Sequence, residues 1–176
     1  MKEKNSKKVI IKISFPIFLL IIFISMFLSG CILTPSKIID KSDKYLDSEK
    51  LKVKGKITKI YNFPEKKYFV YSLENIEPND QEKPSEILVL SCEEYKRNDN
   101  VTIRGKIFPV NEETLKDEKS IRDIIEKFLI KKSTIDEKAL FLHSGYIYEF
   151  LKKYLEGNSD FILFFSYGNY EGSFSS

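Results

Sequence analysis

Two stretches fifty positions apart share one design: Val53-Lys54-Gly55-Lys56-Ile57 and Ile103-Arg104-Gly105-Lys106-Ile107. In each, apolar residues alternate with cations around a central glycine, the period-two pattern of a strand with one buried and one solvated face. A glycine inside a strand gives up side-chain packing and marks a bend or a close backbone approach. Two of them, in a first and a fourth strand, suit a small barrel whose wall must coil sharply to close.

The first strand begins at Leu51, and its alternation slips by one at Ile60, as it does where a β-bulge inserts a residue. A loop with Asn62 and Pro64 leads to a second strand, Lys67 to Leu73, rich in aromatic and β-branched residues. Glu74 to Ser85, with two prolines, reads as a long exposed connection. Ile87 to Cys92 is apolar at nearly every position, as a central strand is. Glu93 to Asn100 reads as a charged turn with helical character before the fourth strand.

This pattern over residues 51–110 resembles the oligonucleotide/oligosaccharide-binding (OB) fold, a five-stranded Greek-key barrel with a strongly curved first strand. The chain departs from it by turning helical instead of supplying a fifth strand at once. Two helices are expected within 111–157. The first, capped by Thr114 or Asp117, carries the stripe Ile121, Ile124, Ile125, Phe128 and Leu129; the second opens on a Thr134/Glu137 capping box and stops at Gly157. A last strand, 160–167, is placed to return and close or edge the barrel. The fold class expected is α+β: one domain over 51–176, with a small OB-like antiparallel barrel (51–110), two helices and a C-terminal strand.

Ahead of the domain, Ile13 to Leu28 carry no charge and follow Lys2, Lys4, Lys7, Lys8 and Lys12. Sixteen uncharged residues fall short of the ~20 that span a bilayer, and a cationic head before a short apolar run is the pattern of a secretory signal. The run closes on Leu28-Ser29-Gly30-Cys31, which resembles the lipobox of prokaryotic lipoproteins position by position. The resemblance implies cleavage between Gly30 and Cys31, a thioether-linked diacylglycerol on Cys31, and a location on the extracytoplasmic face of the cell membrane. Two acyl chains anchor stably where one does not. The alternative is an uncleaved single-pass helix, Val9 to Leu33, in a membrane protein with a structural role. Residues 31–50, polar and mixed in charge, then read as a tether long enough to hold the domain away from the bilayer.

Cutting at Cys31 changes the meaning of the charge. Residues 1–30 hold five of the 29 basic side chains and one of the 26 acidic ones, leaving 24 against 25 and a net charge of −1. The domain as a whole thus lacks the electrostatic footprint of a nucleic-acid binder, and nucleic acid is not the expected partner. With Cys31 lipidated, Cys92 has no disulfide partner in the chain and reads as a small buried hydrophobe.

No catalytic signature stands out, and no metal or cofactor site is expected. His143 is the only histidine, on a helix beside Tyr146 and Ile147, without relay partners at useful spacing. The acid pairs Glu93/Glu94, Glu112/Glu113 and Asp136/Glu137 fall at turns and helix starts, where solvated carboxylates are ordinary. One constellation suggests a ligand surface. Tyr61, Phe63, Tyr68 and Tyr71 cluster around the first hairpin, with Lys54, Lys56, Arg104 and Lys106 on the outward faces of strands one and four. Such a surface stacks rings and holds anions; outside the cell its ligand would be an envelope glycan or a protein segment. The expected role is therefore an extracytoplasmic binding or adaptor module, with an envelope hydrolase using Asp/Glu as the alternative.

Overall fold

A computed structural model describes residues 32–48, 50–63, 67–77, 85–158 and 160–169; the leader, Gly30 and Cys31 lie outside them. The elements are β1 (Ile32–Leu33), α1 (Pro35–Asp40), α2 (Ser42–Tyr45), β2 (Leu51–Asn62), β3 (Phe69–Glu74), β4 (Glu86–Ser91), β5 (Asn100–Val110), α3 (Glu112–Lys116), α4 (Glu118–Lys132), a 3-10 turn (Glu137–Ala139), α5 (Leu140–Glu156) and β6 (Phe161–Asn169). The fold is mixed α+β around a closed five-stranded barrel.

Around the wall the order is β2-β3-β4-β6-β5 and back to β2. All pairs are antiparallel except β4 with β6. The returning strand does close the barrel, slotting between β4 and β5. The expected bulge is present as a register shift between Ile57 and Lys59, opposite Leu73 and Ser72. There the β4–β5 loop closes onto β2: Ile57 donates its N–H to the Asp99 carbonyl and accepts from Asn98 N–H at 2.9 and 2.7 Å. The loop holds no helical turn; Asn98 instead takes φ 74°, a left-handed conformation that asparagine tolerates.

Both glycines face the barrel interior. A β-carbon on Gly55 would lie 2.6 Å from Leu73 Cγ and 2.7 Å from the Glu74 carbonyl, and one on Gly105 would overlap the Phe165 carbonyl. Side-chain absence is what lets neighbouring strands come this close.

Two apolar layers follow from strand alternation. Val53, Ile57, Tyr71, Leu73, Ile87, Val89, Ile103, Ile107, Ile162 and Phe164 fill the barrel. Val70, Leu88, Leu90, Leu163 and Phe165 point outward from β3, β4 and β6 and are buried beneath α4 and α5, against Ile121, Ile125, Phe128, Ile147 and Leu151. Covering by helices explains why β4 is apolar at all four positions from Ile87 to Leu90. Among the described residues no helix packs on the outer face of the first halves of β2 and β5, and there the sequence keeps a clean alternation.

Three expectations are corrected. The segment read as a tether is docked: β1 pairs in parallel with β2, Ile32 beside Lys52 and Leu33 beside Val53, and Ile38 of α1 is 0% exposed among the barrel-filling residues. Leu33 is buried there too. A free tether needs no apolar contacts, whereas Leu33, Pro35 and Ile38 are all buried. The region 111–157 holds three α-helices, because Asn111 and Thr114 form a capping box for the separate short α3, and Asp117 then caps α4. Thr134 caps nothing; Asp136 accepts from Lys138 N–H and starts the 3-10 turn that leads into α5.

Candidate functional site

The predicted aromatic and basic surface separates into two parts. Tyr68 and Tyr71 are both 0% exposed. Adjacent strand positions point to opposite sides, but three residues apart they do so as well, and each side of β3 is roofed. Tyr68 lies in the helix-covered layer with its hydroxyl 3.2 Å from His143 Nδ1, and the two rings meet edge-on. Tyr71 lies inside the barrel, donates to the Glu93 carbonyl and accepts from Tyr95 N–H. Burial pushes its hydroxyl up to about 12, although the Tyr95 hydrogen bond opposes the shift. Tyr61 and Phe63 are half-buried against Phe150 of α5, with ring centroids 4.9 and 5.8 Å apart. The aromatic half of the predicted surface is therefore core, a correction whose cause is α5 lying over Tyr61, Phe63 and Tyr68 and the barrel closing around Tyr71.

The basic half lies on the outer face of the barrel. Register places Lys52 opposite Arg104, Lys54 opposite Thr102 and Lys56 opposite Asn100, all outward, with Lys106 one step further along β5. Among the described residues none of Lys54, Lys56, Arg104 and Lys106 has an ion-pair partner. Sequence reasoning found four of these five cations and missed Lys52, which the same alternation shows.

Lys106 also borders a cleft of about 320 Å³ between β5, β6 and α4. Phe108, Phe128, Phe165 and Tyr167 supply apolar and aromatic lining, and Lys106, Lys127 and Lys131 its charge, with no acid among the lining residues. The chemistry fits a ligand with an apolar body and an anionic group. Tyr167 is held at the rim by Lys132, whose ammonium lies 5.2 Å from the ring and donates to the Tyr167 carbonyl.

Elsewhere the polar chemistry is structural. Glu86 accepts from Ser72 Oγ, from Lys59 Nζ at 3.0 Å and from Tyr154 Oη at 2.8 Å. Burial alone would raise its carboxyl, but these bonds outweigh it and hold it below the usual range. The knot fastens the end of α5 to β3 and β4. Burial pushes the half-buried Cys92 thiol up to about 11, which suppresses the thiolate. His143 is buried. The acid pairs stay apart: Glu93 accepts from Tyr95 Oη and Asp136 caps a helix, whereas Glu94, Glu112, Glu113 and Glu137 are exposed. Among the described residues no three metal-ligating side chains converge, and no helix is long and apolar enough to cross a membrane. The chain matches no protein-family model, no curated protein and no solved structure.

Proposed function

We propose that the protein is a lipid-anchored, extracytoplasmic binding or adaptor module built on an OB-like barrel. The observation that carries this reading is the sequence Leu28-Ser29-Gly30-Cys31 at the end of a short apolar run, one residue before the folded part begins. The Greek-key path around the wall, with the fifth strand inserted between third and fourth, supports the OB-like assignment.

Where OB barrels receive ligands, on the face of their second and third strands, this chain lays its own helix. Ligand recognition is therefore assigned to the Lys106 cleft, and the ligand class to anionic envelope components with an apolar portion. The test is a binding assay on membrane-extracted protein against arrayed acidic envelope glycans and lipids, wild type beside Lys127→Glu/Lys131→Glu. Both lysines are exposed, so the fold should persist. Binding by the wild type that the variant loses supports the reading; a wild type that retains nothing above background overturns it.

A further inference from the structure

We infer that the Lys106 cleft takes one hydrocarbon chain ending in a single anionic group, a carboxylate or a phosphate monoester, and not a glycan. This rests on the assignment of ligand recognition to that cleft and names the chemistry it selects.

The walls come from three elements at regular spacing. On α4, Ile124, Lys127, Phe128 and Lys131 fall at i, i+3, i+4 and i+7 and so share one face of the helix. Across from them, Lys106 and Phe108 of β5 and Phe165 and Tyr167 of β6 are each two residues apart and face the same side of the sheet, with Lys106 opposite Phe165 in the ladder. The floor is aromatic. Phe128 meets Phe165 with ring centroids 5.3 Å apart and lies nearly parallel to Tyr167, at 6.5 Å and 28°. Phe128 and Phe165 are buried, Phe108 and Ile124 half-buried and the three lysines exposed, so the cleft is apolar at depth and cationic at its mouth.

The functional groups decide between sugars and lipids. Besides the ammonium groups and the Tyr167 hydroxyl, no lining side chain carries a hydrogen-bonding group. A sugar ring entering the cleft would lose water from several hydroxyls with no amide or carboxylate to replace it, and each unreplaced bond weakens binding. A hydrocarbon chain has no such bonds to lose and gains by leaving water. Size limits the ligand to one chain, since about 320 Å³ is near the lower bound of ordinary ligand pockets. Each methylene that enters should strengthen binding about four-fold, until the chain outgrows the cleft.

The lysines set the head. Among the described residues none of Lys106, Lys127 and Lys131 has an ion-pair partner. Ammonium groups attract as points and lack the planar fork by which arginine selects an oxyanion's geometry. The head must therefore be anionic, and a carboxylate or a phosphate monoester serves equally.

The test uses the full chain in phosphatidylcholine nanodiscs, with decanoic acid carrying a photoreactive diazirine at its far end as the probe. Crosslinks, located by peptide mass spectrometry, should fall on the inner face of α4 or on Phe165 to Tyr167. They should drop several-fold in Lys127→Glu/Lys131→Glu and not in the equally exposed pair Lys119→Glu/Lys138→Glu. Competition on the wild type needs no variant. At equal free concentration, decanoate and decyl phosphate should displace the probe, octanoate and hexanoate progressively less by about four-fold per methylene, and decanol should not displace it. Displacement by decanol as effective as by decanoate overturns the anionic head. An acidic glycan that binds the wild type and not the Lys127→Glu/Lys131→Glu variant, with decanoate unable to compete, overturns the acyl ligand and leaves the cleft's role standing. Crosslinks outside the cleft together with no glycan binding overturn both.

Discussion

Ile38→Ala should loosen the chain where a tether was expected, and Ile39→Ala should not. Ile38 is 0% exposed among the barrel-filling side chains, whereas Ile39 on the next position of α1 is 41% exposed. Truncating a buried isoleucine to alanine removes three carbons and costs about 2–5 kcal/mol. α1 has only six residues and no side-chain cap, so it is not stable alone and depends on this docking. The expected cost therefore saturates near the lower end, about 2 kcal/mol, because the segment can detach while the barrel stays closed. Pulse proteolysis in denaturant measures the cost, and trypsin under native conditions reads the detachment at Lys37, Lys41 and Lys44. The wild type and Ile39→Ala should resist cleavage there; Ile38→Ala should be cut there before any site in β2 to β5. Wild-type protein cut at Lys37 as fast as an unfolded peptide would refute the docking.

The barrel's close approaches and its polar knot give two further expectations. Gly105→Ala should cost about 3 kcal/mol or more, because its β-carbon would meet backbone rather than a yielding side chain, whereas Gly157→Ala, whose β-carbon would make only an ordinary 3.9 Å contact with the Tyr154 carbonyl, should stay within about 0.5 kcal/mol in the same melts. Glu86 has a carboxyl pKa depressed in the fold, so its contribution is complete above the unfolded value of about 4.3 and is lost as pH falls through the lower folded value. Acid titration of stability should show that loss in the wild type, and Glu86→Gln should flatten it while costing about 1–3 kcal/mol at neutral pH.

Much of the barrel was legible because period-two alternation, a slip at Ile60 and two mid-strand glycines are local signals. Even the returning strand was visible as the apolar run Phe161 to Phe165. What escaped depends on coverage from afar. Nothing in Tyr68 tells whether a helix eighty positions later roofs it, and that decides between ligand platform and core. The docked segment was masked by its alternating charges, although Pro35 at the first position of α1 was a usable helix-start signal. The outward run of cations on β2 and β5, by contrast, follows from alternation alone.

The most direct measurement is the intact mass of protein extracted from membranes, wild type beside Cys31→Ser. Wild-type protein should begin at residue 31 and carry the added mass of a diacylglycerol, and the serine variant should keep its leader and no lipid. Full-length, unlipidated wild-type protein would contradict the lipid anchor.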